Sequence, residues 1–386
     1  MKRAAKKMKV ENRLQRIGSS IEPPIGTPPS SESPKTERRL SPNRHSFFPS
    51  SEFQFKIDLI TKAELEEVML VWAMKQGWEH SLEDVDTYFN SGANIYALRK
   101  MNNYGEYELA GCILLCLDKQ RNGESFYSVG LFITNEKYRG QKMVGPMLWQ
   151  FIQNITAGKT LSLNSVPRVI GFYQKQGFDE TNISSLQFRL NTTTQFHMSS
   201  GTRLLEGQKT LRKMIGNDQN SPEFVDKITG YQQKVFCNNV DENNKFTRLF
   251  MERADAIAVM YYSNNKVEGF GILTCRKREA NVAHYRMSPV QADSLDVGSK
   301  IIHCLLSTVK FPTSFTIDIP LNKTNIEYGN AIQNMLNALG FKSIAESGSI
   351  LMTTDKKSVS HVVTPPEVIG LEPLECPHPA IRQLYS

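Results

Sequence analysis

Hydrophobic and polar positions switch between a two-residue and a three-to-four-residue rhythm from about Glu52 onward, which marks strands and helices in turn. FKIDLI at 55–60 reads as a first strand. Thr61 then caps a helix, with Glu64 completing a capping box and Leu65, Val68, Met69 and Trp72 forming its apolar face. Ser81–Asn90 reads as a second short helix. Ile95–Arg99 and Tyr107–Leu117 are strands joined by the turn Asn102-Asn103-Tyr104-Gly105.

The stretch Tyr127–Phe151 is the centre of this half of the chain. Val129, Leu131 and Ile133 alternate with Gly130, Phe132 and Thr134, a strand pattern. After Gly145, residues Met147, Leu148, Phe151, Ile152 and Ile155 follow one helix face. The polar turn between them holds Arg139-Gly140. A strand that feeds a glycine-containing turn and a helix aims unpaired N–H groups and the positive end of the helix dipole at one place, which attracts phosphate. NSVPRVIGFYQKQGF then supplies a further helix, capped by Gly177, before Phe178 opens a strand.

Asn191–Ser200 is polar and poor in pattern and is read as a boundary. Beyond it, Leu205–Ile215 and Pro222–Lys234 read as helical, with a loop at Asn238–Asn244. Ala256–Tyr262 and Val267–Cys275 form a hairpin, and Ala283–Met287 is a third strand. Asp293–Val309 is a helix, Ser314–Ile319 a strand, Asn325–Leu339 a helix capped by Gly340, and Phe341–Thr353 a last strand. The order of elements is thus repeated: Leu339-Gly340-Phe341 answers to Gln176-Gly177-Phe178, and MSPVQAD at 287–293 to the helix start RGQKMVG at 139–145. The fold class is mixed α/β, an α+β mixed sheet. The expected organisation is a tail over 1–51, a first domain over 52–190, a second over 191–356 and a C-terminal tail over 357–386.

Charge changes the picture only at the start. The formal net charge is +7, but residues 1–50 hold eleven Lys or Arg against four Glu, which leaves thirty-five of each sign beyond them. The folded part is therefore neutral, unlike a nucleic-acid-binding core. The tail also holds seven of the eighteen prolines and is expected to be disordered. Lys2–Arg16 fits either a nuclear-import or anionic-surface patch or a solvated tail or transit-peptide remnant. Six cysteines without a C-x-x-C pair suit core packing in a reducing compartment and argue against structural zinc. No run approaches the roughly 18 apolar residues of a membrane span, and no secretory signal is legible. Cytoplasm or nucleus is the expected location.

Arg139-Gly140 through Gly145, followed by FYQKQGF at 172–178, resembles the GNAT superfamily of acetyl-CoA-dependent N-acetyltransferases. LSLNSVPRVIGFYQKQGF resembles the G-L-D-x-V-P-x-x-x-x-x-Y-x-K-x-G-F form of two-domain members found in bacteria and nematodes, with Asn164 standing where their Asp stands. Ser288-Pro289-Val290-x-Ala292-Asp293 and Asp318-Ile319-Pro320-x-Asn322 resemble the second domain of the same proteins, so the likeness runs over about residues 52–355.

That resemblance implies acetyl-CoA as co-substrate and a small-molecule amine or amino acid as acceptor, with no metal and no membrane. It places the cofactor along Phe132, Ile133 and Thr134 and over Arg139, Gly140, Gln141, Lys142, Met143, Val144 and Gly145. Tyr173 is the candidate acid for the departing thiolate, and Asn164 lies on the substrate side. Where the family has glycine or alanine, one register places Lys142 and Val144, and the other Met143. No carboxylate for a general base is legible on the Phe126–Thr134 strand. Two functions stay open: an N-acyltransferase, and a catalytically weak or inactive GNAT-like protein that binds an acyl-CoA or a partner. The second domain reads as a degenerate repeat, because its turn has neither basic residue nor glycine for pyrophosphate.

Overall fold

The capping box at Thr61 closes as the sequence implies, with the Glu64 amide donating to Thr61 Oγ1 at 3.3 Å and the Thr61 amide donating to Glu64 Oε2 at 2.8 Å. Ser81 and Asp84 form a second such box at the next helix. These and the elements below come from a computed structural model, which describes residues 55–119, 125–140, 143–193, 209–215, 222–236, 248–263, 266–279, 282–309, 313–322, 326–355 and 368–370. The basic tail, Gln141, Lys142 and the expected loop at 238–244 lie outside them.

The first half runs β1 (Phe55–Leu59), α1 (Lys62–Glu67, continued by a π turn Val68–Ala73 and a 3-10 turn Met74–Gln76), α2 (Leu82–Asn90), β2 (Asn94–Met101), β3 (Tyr107–Lys119) and β4 (Ser125–Thr134). It continues with α3 (Val144–Thr156), β5 (Thr160–Ser165), α4 (Ile170–Gln174) and β6 (Asp179–Thr192). The second half begins with β7 (Lys209–Ile215), α5 (Pro222–Phe236) and a helical turn at 248–251, then β8 (Ala256–Ser263), β9 (Lys266–Glu279) and β10 (Val282–Ala292). It ends with α6 (Leu295–Ser307), β11 (Thr313–Asn322), α7 (Ile326–Ala338), β12 (Lys342–Thr353) and β13 (Val368–Gly370).

Within each half the first four strands are antiparallel neighbours, and the fourth pairs in parallel with the fifth. The sixth strands are exchanged. β12 of the second half pairs with β5 of the first, β6 of the first pairs with β11 of the second, and β6 and β12 pair with each other. One mixed sheet results, in the order β1-β2-β3-β4-β5-β12-β6-β11-β10-β9-β8-β7, with β13 beside β10.

Three apolar clusters follow from this wrapping. Leu148, Trp149, Ile152 and Phe178 centre the one beneath α3 and α4. Ile301, Ile302, Leu305 and Ile317 centre the one beneath α6. The third is shared, bringing Val68, Val85 and Leu114 of the first half together with Ile228, Phe250, Met260 and Ile272 of the second. Beside it Asp84, fully buried, receives Arg253 Nη1 at 2.5 Å and the guanidinium of Arg276, both from the second half. Burial pushes the Asp84 carboxyl up, but the two guanidinium groups overcome it and hold the group well below the usual carboxylate range.

Two expectations are corrected. The segment read as helical up to Ile215 is strand over Lys209–Ile215, paired with β8 along its length. Leu211, Met214 and Ile215 mimic the spacing of a helix face, and the exposed edge of β8 decides the matter. Ser288–Ala292, matched to the first half's helix-start turn, is the end of strand β10. It corresponds to Leu131–Thr134 and not to Arg139–Gly145.

Candidate active site

β4 carries a bulge that the alternation of its residues does not announce. Cys112 pairs with Ile133 and Leu114 with Gly130, so Leu131 and Phe132 both stand opposite Ile113. Leu131 sits at φ 45°, a left-handed backbone that costs a branched residue about 1–2 kcal/mol. Burial of its side chain and a bond from Cys112 Sγ to its carbonyl at 3.5 Å hold it there. The parallel ladder to β5 ends at Val129 and Leu163, just before the bulge. Beyond that point β4 leaves β5, and among the described residues no strand pairs with the edge it exposes.

Nine residues, 135–143, separate β4 from α3. Asn135 caps a 3-10 turn within them, and Tyr138 is buried with its hydroxyl on Glu108. Arg139 is exposed and donates from Nε to the Thr134 carbonyl at 3.0 Å, which ties the start of the turn back to the strand. Gly140 takes φ 76°, where a side chain would be strained. Met143 is the N-cap of α3 and makes no side-chain cap, so the amides of Val144 and Gly145 stay available to an anion. A Cβ on Gly145 would meet only Phe132 Cζ at 3.7 Å, so the surface above the first turn is open. Beneath it Gly111 lets α3 approach closely: a Cβ there would lie 3.0 Å from Val144 Cγ1 and from the Ile133 carbonyl oxygen.

Tyr173 lies on α4, whose chain closes with Gly177 at φ 88°. Its ring packs on Phe172, Trp149 and Phe178 at centroid separations of 5.2, 5.9 and 5.9 Å. Phe132 joins the same group, 6.0 Å from Phe172 and 6.1 Å from Trp149. One aromatic chain therefore links the bulge of β4 to the candidate acid. Burial pushes the Tyr173 phenol above its usual range, so it keeps its proton at neutral pH. The Trp149 indole N–H is buried without an acceptor among the described residues. Asn164 is half-buried on β5, one residue past the last rung to β4, and pairs with Leu351 of the exchanged strand β12. Trp149 and Phe172 do not stand out in the sequence; the Phe172-Tyr173 pair is the signal that could have found the second.

The second half has the same bulge, with Ser288 and Pro289 both opposite Ile272, but not the rest. Only Asp293 and Ser294 separate β10 from α6, and the Ser294 hydroxyl accepts from the Val297 amide at 3.3 Å, occupying the first turn from within. A surface hollow of about 530 Å³ at the β1–β2 edge, lined by Lys56, Asp58, Glu64, Arg99 and their neighbours, contains none of the candidate residues. Among the described residues no cluster of metal-ligand side chains occurs. No helix described is long and apolar enough to cross a membrane.

Residues 238–361 match the sequence profile of an acetyltransferase (GNAT) domain. No curated protein matches the chain. The fold is similar to that of a putative acetyltransferase from Pyrococcus horikoshii, with a TM-score of 0.55 and 14% identity over 86% of this chain and 98% of that one. It is also similar to a tandem GNAT protein from the clavulanic acid biosynthesis pathway, with a TM-score of 0.50, 12% identity, and 78% and 98% coverage. N-myristoyltransferase of Saccharomyces cerevisiae matches with a TM-score of 0.52, 9% identity, and 79% and 81% coverage. The fold is a GNAT fold. The profile falls on the second half, whereas the open edge of β4 and the uncapped first turn of α3 lie in the first.

Proposed function

We propose that the protein is an acetyl-CoA-dependent N-acyltransferase that moves an acetyl group to a primary amine of a small molecule or amino acid. One observation carries this reading: the open edge of β4 and the uncapped first turn of α3 occur together, and in one half only. The edge at Phe132, Ile133 and Thr134 offers backbone hydrogen-bonding groups to the amide-bearing pantetheine arm. The amides of Val144 and Gly145, with Arg139 and Gly140 across the turn, suit the pyrophosphate. Gln141 and Lys142 belong to the same proposed contact, and Asn164 faces the acceptor.

The amine nitrogen attacks the thioester carbonyl, and the carbon–sulfur bond breaks as the amide forms. The Tyr173 hydroxyl donates to the sulfur as its charge develops and delivers the proton that converts it to the free thiol; solvent restores the phenol. The amine's own proton leaves to water. The second half contributes β12 to the sheet beside Asn164 and serves as a structural repeat.

A second reading, an acyl-CoA-binding protein without turnover, is favoured by a different observation. β4 reads SFYSVGLFIT and holds no carboxylate to take the amine's proton. A screen of primary amines with acetyl-CoA, followed by thiol release, separates the two: turnover of one amine class supports the transferase, and coenzyme A binding with no turnover of any supports the binder. The expected location remains cytoplasm or nucleus.

A further inference from the structure

The second half's slot differs from the first in what lies in it. β10 is paired on one side with β9 as far as Ala292, and on the other with β11 only as far as Met287 and Ile317. Past that point, where β10 and β11 part, Val290 pairs with Gly370 and Gln291 with Val368 of β13. The corresponding edge of β4 has no such partner among the described residues. Burial differs in part. Val290, Gln291 and Ala292 are fully buried, whereas in β4 Ile133 is buried and Phe132 and Thr134 are half-buried. A buried backbone edge is costly unless its N–H and C=O groups are paired, so a strand here meets a definite need.

The chain supplies a segment fitted to that need. Val368 and Ile369 are β-branched, and Pro366 on one side and Pro373 on the other limit the strand to a few residues. We infer that the second slot is a strand-docking surface whose resident occupant is the chain's own segment Val368–Gly370, an internal plug where the first half leaves its slot open. The second half thereby trades a ligand site for a strand site, held by backbone bonds in the manner of β-augmentation. The inference stands whether or not the first half turns over an amine.

The test uses a chain ending at Asp355 and a fluorescein-labelled peptide of residues 362–375, followed by anisotropy. The shortened chain is expected to bind the peptide at least tenfold more tightly than the full chain does, and to prefer it by a similar factor over a scrambled peptide. Its melting temperature is expected to fall by several degrees and to recover on adding the peptide. Should the shortened chain fail to fold, full-length Val368→Pro answers instead, because proline cannot continue the ladder and the vacated edge is then expected to take the free peptide. Equal binding to full, shortened and Val368→Pro chains, or no binding to either altered chain while the melting temperature stays at that of the full chain, would overturn the inference.

Discussion

Tyr173 and Leu336 occupy the same place in the two halves. Each gives its carbonyl to the amide of the phenylalanine that follows a left-handed glycine: Tyr173 to Phe178 at 3.1 Å past Gly177, and Leu336 to Phe341 at 3.0 Å past Gly340. The backbone motif is kept, and only the first half has a hydroxyl on it. If that hydroxyl serves the departing sulfur, Tyr173→Phe keeps the ring contacts with Phe172, Trp149 and Phe178 and removes the proton. Turnover is expected to fall roughly a hundredfold with coenzyme A affinity unchanged. Steady-state rates paired with a binding titration check this; undiminished turnover makes Tyr173 a packing residue.

The same phenol sets an expectation for pH. Its folded pKa is raised above the unfolded value, so its contribution to stability is complete below the unfolded tyrosine range and is lost as pH rises beyond about 10. Loss of activity between pH 7 and 9 therefore does not come from Tyr173, and a pH–rate profile of wild type against Tyr173→Phe is expected to show the same limb in that interval. A limb present only in the wild type would contradict this.

Asp84 joins the halves through Arg253 and Arg276, and Asp84→Ala would take from two buried guanidinium groups the carboxylate they share, leaving Asp255 beside Arg253. A loss of about 3–5 kcal/mol is expected, measurable by urea unfolding. The sign with pH is opposite to that of Tyr173. A carboxyl held below its unfolded pKa stabilises above that value, so this contribution is retained at neutral pH and lost as pH falls below about 4. A cost under 1 kcal/mol would show that solvent reaches the cluster.

Much of this molecule is legible in its sequence. The capping box at Thr61, the short helix from Ser81, the two Gly-Phe closures and the repeat of elements all rest on local signals, and each forms. The partner of a strand is not a local property: nothing in the alternation of Asp179–Thr192 tells it to pair with β11, or Lys342–Thr353 to pair with β5. The bulge at Leu131 is hidden for the same reason, since its residues keep an alternating pattern while the pairing slips. The edge strand β7 reads as a helix because its apolar residues fall at helical spacing. The candidate cofactor residues stand out because a glycine turn between a strand and a helix is a sequence signal, whereas Trp149 looks like one more residue of a helix.

The strand exchange has a direct consequence. A chain ending at residue 193 lacks β12 and leaves the edges of β5 and β6 unpaired, so it is expected to be insoluble or to lack cooperative unfolding. Co-expression with residues 194–386 is expected to restore both. A soluble, cooperatively folded first half on its own would show that β6 can return to β5.

Gly111→Ala probes the seat of α3. The added methyl meets backbone and side-chain atoms at about 3 Å, and overpacking of this kind costs about 1–3 kcal/mol. Because the strain falls between β3 and the first turn of α3, coenzyme A affinity is expected to drop along with the melting temperature. A stability loss with unchanged affinity would separate the helix seat from the cofactor site.

A single coenzyme site, in the first half, makes a clear forecast for calorimetric titration of coenzyme A into three proteins: wild type, Gly145→Asp and Ser294→Gly. At Gly145 a Cβ makes only an ordinary contact with Phe132, and a carboxylate in the first turn of a helix favours the helix, so the fold accepts the change while an anion is repelled. At Ser294 glycine costs the α6 cap only a few tenths of a kcal/mol. One site per chain is predicted for wild type and for Ser294→Gly, and none for Gly145→Asp. Two sites per chain, or one that survives Gly145→Asp and disappears in Ser294→Gly, would place coenzyme A outside the first half's turn.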